Sequence, residues 1–230
     1  ILKPKDVKYY MYEILKGLAY AHERGVMHKD IQPANIMIDH QERVVKIIDW
    51  GLSQFYLKNE HQTKSGSLYY QSPEMLLGYG MFSMSTDIWS LGCIFAAMLY
   101  RKTIFFTGDD NTGQILEIAK ILGTDALLAY NQKYNLSFNT SSITQPFPRR
   151  TWHSLVEEQS RDFATDEALH LLEHMLVYDQ EKRITARDAL QHPYFRSLRT
   201  VPIRPGPTTP TTTSVTTTAR YTIVSHSNRE

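Results

Sequence analysis

The chain has 230 residues, 42% of them hydrophobic and 21% charged, which suits one domain of ordinary size and excludes a wholly disordered polypeptide. A single cysteine, Cys93, excludes a disulfide framework or a multi-cysteine zinc site and points to a reducing compartment, cytoplasm or nucleus. Five basic residues and one acidic residue fall in 196–230, leaving 20 basic and 23 acidic in 1–195, so neither part has the charge of a nucleic-acid surface, and no apolar run approaches the roughly 18 residues of a membrane span.

Val7, Tyr10, Met11, Ile14, Leu15 and Leu18 recur at helical spacing, which predicts an amphipathic helix with Asp6 as N-cap and Gly25 beyond its end. A polar loop, His28 to Asn35, follows. Ile36–Ile38 and Val44–Ile48 are β-type runs separated by a short polar link, hence a small hairpin. Gly51 to Pro73 has little periodicity and reads as a long functional loop. Asp87 to Leu99 is apolar on nearly all sides, the mark of a core helix. Ile115 to Leu122 is a helix stopped by Gly123, and 124–164 reads as irregular, with Pro146 and Pro148. Thr165 caps a helix carrying Ala168, Leu169, Leu172, Met175 and Leu176 on one face. Thr185 with Asp188 opens a last short helix that ends at His192-Pro193. From about Arg196 the composition changes, and residues 208–218 hold eight threonines in eleven positions. Residues 196–230 are therefore expected to form a disordered Thr/Pro-rich tail.

Chemistry concentrates in two motifs flanking the hairpin: His28-Lys29-Asp30-Ile31-Gln32-Pro33-Ala34-Asn35, and Asp49-Trp50-Gly51, which starts nineteen residues after Asp30. Such spacing can converge three oxygen-bearing side chains, the donors that Mg²⁺ prefers and shares with phosphate. Taken singly each residue has a plainer explanation. Asp30 and Asp49 suit turns, Gln32 reads best as a solvated loop residue, and Met37 and Trp50 would be core in any fold. Cys93, on the core helix, reads as a small buried residue rather than a reactive thiol.

Together the motifs resemble the catalytic loop H-R-D-x-x-x-x-N and the metal motif D-F-G of protein kinases. Ser72-Pro73-Glu74 resembles the Ala-Pro-Glu motif. Asp87-Ile88-Trp89-Ser90-Leu91-Gly92-Cys93 resembles the core-helix motif, and His192-Pro193-Tyr194-Phe195 the domain end. Tyr10-Met11-Tyr12-Glu13-Ile14-Leu15-Lys16, Ile48-Asp49-Trp50-Gly51-Leu52 and Arg149-Arg150-Thr151-Trp152 are similar to the catalytic (alpha) subunits of casein kinase II. The tryptophan in place of Phe in D-F-G is distinctive of those subunits.

The resemblance implies a mainly α kinase large lobe over 1–195, α+β for the family as a whole. With Ile1 entering a helix almost at once, the chain is expected to be a fragment without the small lobe. It implies ATP and Mg²⁺ as cofactors. Asp30 would orient the substrate hydroxyl, Asn35 and Asp49 would hold metal, and Met37 and Ile48 would floor the nucleotide site. Glu74 and Arg183 would form an ion pair, and Asp87 would brace the loop backbone. Gln32 stands where the family has a Lys that touches the γ-phosphate. Lys64, Leu68 and Gln71 stand at three substrate-reading positions that are basic in the relatives, which weakens the expected preference for acidic protein substrates. The regulatory (beta) subunit would be a partner only with a small lobe upstream. Beside this enzyme reading, a non-catalytic pseudokinase-like binding module and a degenerate truncated duplicate stay open.

Overall fold

The protein is described by a computed structural model that covers residues 2–57, 66–136, 138–199 and 222–223. Helix α1, Pro4–His22, buries Val7, Tyr10, Met11, Ile14, Leu15 and Leu18. Its N-cap is Lys3, with Pro4 in the first turn. Asp6 sits three residues in, where its carboxylate accepts the Lys3 N–H at 3.2 Å. The cap expected at Asp6 therefore lies at Lys3, and Pro4 explains the shift, because its fixed φ and missing N–H suit the first helical position.

Strand β1, Val26–Met27, precedes the polar loop, which closes in a 3-10 turn at Pro33–Asn35. Strands β2, Ile36–Asp39, and β3, Val44–Ile47, pair antiparallel with Ile36 opposite Ile47, as the hairpin pattern predicts. Ile36 and Ile38 point into the core, while Met37 and Asp39 face the other way. Within the long loop, Trp50–Leu52 forms a 3-10 turn, β4 (Gln54–Phe55) pairs back onto β1, and Leu68–Tyr70 forms a second turn.

Helix α2, Pro73–Leu76, leads to α3, Ser85–Leu99, which is buried along almost its whole length. Gly92 lets α3 approach the end of the later capped helix, because a Cβ there would lie 2.8 Å from Leu176 Cδ2. Helix α4, Asn111–Leu122, is followed directly by α5, Thr124–Lys133. The irregular reading of 124–164 is corrected at α5. This helix buries only Thr124, Leu127 and Tyr130, too narrow a stripe to announce itself. Polar tertiary bonds hold it instead: Tyr130 to Gln180 at 2.8 Å, Lys133 to Asp179 and Glu181 at 2.8 Å each, and Tyr134 to Asp179 at 2.7 Å.

Helix α6, Asp166–Met175, is capped by Thr165 Oγ1, which accepts the Ala168 N–H at 3.3 Å. Helix α7, Ala186–Gln191, begins at Thr185, whose Oγ1 accepts from Asp188 N and whose hydroxyl donates to the Asp188 carboxylate. Residues 196–199 form one further turn, α8 (Arg196–Arg199), and Thr222–Ile223 form a strand, β5, against β2. The other residues of the 196–230 tail expected to be disordered lie outside the described ones.

Three histidines close the C-terminal end. His192 Nδ1 accepts the Tyr194 N–H at 3.2 Å, so Nε2 carries the proton and faces His170 Nδ1 at 2.7 Å. His174 stacks on His170. Burial, with His170, His174 and Arg199 nearby, pushes the His192 pKa down to about 4. The unfolded chain binds this proton near pH 6.5 and the folded chain only near 4, so stability falls as pH drops through that window and levels off below it. Replacing His192 with Asn keeps a capping acceptor and removes the titration. Melting temperatures at pH 7.5, 5.5 and 4.5 are expected to converge for the variant relative to the parent, and parallel curves would refute this.

Candidate active site

The His28–Asn35 loop is held from beneath by Asp87 at the start of α3. Its Oδ2 accepts the His28 N–H at 2.9 Å and contacts His22 Nε2 at 2.8 Å, and its Oδ1 accepts the Lys29 N–H at 2.8 Å. Asp87 is fully buried, so these donors replace the water its carboxylate gives up. Lys29 adopts a left-handed φ of 69°, which turns the loop outward at Asp30. Its ammonium bonds Gln54 Oε1 at 3.0 Å, and burial lowers its pKa against the opposing pull of Asp87.

Above this base, Asp30 is half-buried and surrounded by donors. Oδ2 accepts from Gln32 Nε2 and from Asn35 Nδ2, both at 2.9 Å, and Oδ1 accepts the Ser67 N–H at 3.3 Å. Asn35 Nδ2 also donates to the Asp30 carbonyl at 2.8 Å. Both bonds use the amide nitrogen, which leaves Asn35 Oδ1 as the oxygen a cation would take. Gln32, read from sequence as a solvated residue, instead folds back on Asp30 Oδ2, so in this conformation its amide is committed to the carboxylate.

The hairpin carries the second motif. Ile48 links the two, because its N–H donates to Asn35 O at 2.9 Å and its carbonyl lies 3.0 Å from His28 Nε2. The Asp30 N–H donates to His28 Nδ1 at 3.2 Å, so His28 bears its proton on Nε2 and gives it to Ile48 O. Asp49 follows in the left-handed region, φ 59° and ψ 66°, exposed, with its carboxylate receiving the Gly51 N–H at 3.4 Å. Trp50 packs edge-on against His28 with ring centroids 4.6 Å apart. Met37 is half-buried and Ile48 is 37% exposed on the same hairpin.

The oxygens of Asn35 and Asp49 are hard donors of the kind that Mg²⁺ takes together with water and phosphate. Among the described residues no cluster of three His, Cys, Asp or Glu side chains could hold a metal unaided. The donor set therefore fits a metal shared with a phosphate ligand, rather than a closed protein cage.

Gly66 and Ser67 are site residues that sequence reasoning missed. Gly66 has φ +91°, and a Cβ there would lie 2.8 Å from Lys29 O and 3.2 Å from Asp30 Oδ1. Only glycine lets the long loop lie this close to Asp30, and a glycine inside a polar stretch was the one available signal. His22 was also missed, since 65 residues separate it from Asp87. Of the three substrate-reading positions, Lys64 lies outside the described residues and Leu68 is half-buried in its turn. Gln71, the third, turns inward in this structure. It is buried, its Nε2 donates to Gly66 O at 2.7 Å, and its Oε1 has no partner among the described residues. Its side chain folds inward to satisfy a turn carbonyl.

Behind the loop, Glu74 and Arg183 form a fully buried ion pair with two parallel bonds of 2.9 and 3.0 Å. Thr86 adds a hydroxyl to Glu74 at 3.0 Å, Arg183 also donates to the carbonyls of Ser85, Val177 and Tyr178, and its guanidinium lies over the Trp89 ring.

A carboxylate set among amides, joined through a hairpin to a second, exposed carboxylate, offers oxygens that could orient a hydroxyl and share a cation with phosphate. The family model for the protein kinase domain matches residues 1–195, and the chain belongs to the protein kinase family. The mainly helical architecture with short antiparallel strands is that of a kinase large lobe.

Proposed function

We propose that the chain is the large-lobe part of a serine/threonine kinase of the casein kinase II catalytic type, acting on protein substrates in the cytoplasm or nucleus. The observation that carries this is the assembly of Asp30, Asn35 and the Gly66–Ser67 backbone into one bonded unit, with Asp49 at the adjoining hairpin end. When bound, Mg²⁺ and ATP supply the phosphoryl group and neutralise its charge, with Asn35 and Asp49 as the residues that would hold the metal. Asp30 orients the incoming hydroxyl, and Ser67 N fixes the rotation of its carboxylate. Trp50 in the metal motif supports the casein kinase II assignment. The regulatory beta subunit would join only a protein that also carries a small lobe.

The test is labelled phosphate transfer from ATP by the native full-length protein to matched Ser and Tyr peptides. Labelling of Ser and not of Tyr is expected, and preferential labelling of Tyr would sink the assignment. Substrate charge gives a second check. Leu68 stands where the relatives carry positive charge, and Leu68→Arg restores one contact to an acidic side chain at a partly solvated site. Such a contact contributes about 0.2–1 kcal/mol, so the kcat/KM ratio of acidic to neutral Ser peptides should rise by roughly 1.5- to 5-fold at low salt. An unchanged ratio would remove Leu68 from the substrate-reading surface. Gln71→Lys is not expected to help, because it would bury a charge.

A further inference from the structure

We propose that Ser90 and Gln114 are positioning residues for phosphoryl transfer, which hold the Leu68–Tyr70 turn so that the Ser67 N–H stays aimed at Asp30. The assignment rests on the kinase reading of the same site. Ser90 lies on α3 and Gln114 on α4, and both act through backbone carbonyls of the turn.

Every carbonyl from Gly66 to Tyr70 has a partner. The turn's own backbone serves Ser67 O and Leu68 O, and Gln71 serves Gly66 O. The last two depend on other elements: Gln114 Nε2 donates to Tyr69 O at 3.2 Å, and Ser90 Oγ donates to Tyr70 O at 2.7 Å. Gln114 is fully buried, and its Oε1 accepts the Gly108 N–H at 2.7 Å. That bond commits the NH₂ end to the carbonyls of Tyr69 and Phe106. A buried helical serine ordinarily returns its proton to the carbonyl four residues back. Here that carbonyl, Thr86 O, is the longer contact at 3.2 Å, so the proton goes to Tyr70. Helix α3 thereby grips both sides of the Asp30–Ser67 bond. Asp87 holds the His28 and Lys29 N–H groups ahead of Asp30, and Ser90, one turn further along, holds Tyr70 behind Ser67. A rigid helix fixes the separation of two such anchors. Gln114 supplies a third anchor from α4, which stops the turn pivoting about Ser90. A donor that sets the rotation of Asp30 needs this support, because small displacements of a reacting group are costly in rate.

The test is a double-mutant cycle in the native full-length protein, read as labelled phosphate transfer from ATP to a Ser peptide. Ser90→Ala removes one hydroxyl, and Gln114→Met removes the amide at similar length. Each should lower kcat by roughly 3- to 30-fold and leave the KM for ATP unchanged. In an Asp30→Asn background Ser67 has no carboxylate to orient, so the same substitutions should change kcat by less than about twofold. Hydrogen exchange at the Ser67 amide should accelerate by roughly 2- to 10-fold in both single variants, a readout independent of activity. Ser90→Ala removes a single atom, so it decides the matter alone should Gln114→Met not fold. Equal losses in the two backgrounds would overturn the proposal, since the effect would then not pass through Asp30. Unchanged kcat or unchanged Ser67 exchange in an active protein would overturn it as well, with the kinase reading intact. A parent that labels no Ser peptide would instead sink the kinase reading, and the positioning role with it.

Discussion

Asp30→Asn is expected to lower phosphoryl transfer by the native full-length protein by about 10²- to 10⁴-fold, the range spanned by a positioned general base. The substitution is nearly isosteric, and the surrounding donors constrain it. Gln32 Nε2 and Asn35 Nδ2 both point at Oδ2, so the new amide turns its oxygen toward them and presents its NH₂ where Oδ1 stood. That position faces the Ser67 N–H and can neither orient a hydroxyl as an acceptor nor receive its proton. The loss should fall on kcat rather than on nucleotide affinity, since Asn35 and Asp49 keep their oxygens. A loss smaller than tenfold would mean that Asp30 only shapes the loop. Gln32→Lys probes the same carboxylate from the opposite direction. It frees one amide bond on Oδ2 and returns a cation to the position from which the family contacts phosphate. Because one aligned donor contributes about 10²–10³ in rate, transfer should rise by at least about tenfold, and no change would show that Gln32 does not limit the reaction.

Arg183→Ala should destabilise the fold by about 3–5 kcal/mol, because it leaves the Glu74 carboxylate charged and buried with the Thr86 hydroxyl as its remaining bond. For a domain of this size that corresponds to a fall in Tm of roughly 6–20 °C, measured by circular dichroism. The guanidinium also satisfies three carbonyls and covers the Trp89 ring, so lost packing adds to lost charge. Arg183→Lys should recover only part of the loss, since an ammonium cannot make the two parallel bonds. The double change Glu74→Leu with Arg183→Met is expected to cost less than Arg183→Ala alone, because it removes both charges. A single-variant loss below about 1 kcal/mol would mean that water reaches Glu74 on its own.

Much of the scaffold was legible because its signals are local. Helix α1, the buried α3 and the Thr165 cap of α6 each declare themselves within a few residues, by apolar spacing or by one side-chain oxygen. The hairpin is legible for the same reason, its two strands being joined by a four-residue turn. The placement of three candidate residues was legible through spacing: Asp30 and Asn35 share one loop, and Asp49 follows at the end of the hairpin. Helix α5 was not legible, since most of its sequence is polar and its bonds run to residues 179–181. Asp6 was placed one role away because a carboxylate in the first turn serves equally as cap or as third residue, and only Pro4 settles which.

The order of the motifs, the types of donor and the period of each helix were determined by the sequence by itself, because each is a property of neighbours along the chain. The tertiary structure alone decided where side chains with two available partners turn. Gln32 could have faced solvent but folds onto Asp30, and Gln71 could have faced a substrate but turns in to the Gly66 carbonyl. His22 meets Asp87 across 65 residues, and the tail strand finds β2 across far more. The reason is the same in each case. A polar group leaving water takes whichever partner the packed core brings within about 3 Å, and that proximity exists only once the elements are assembled.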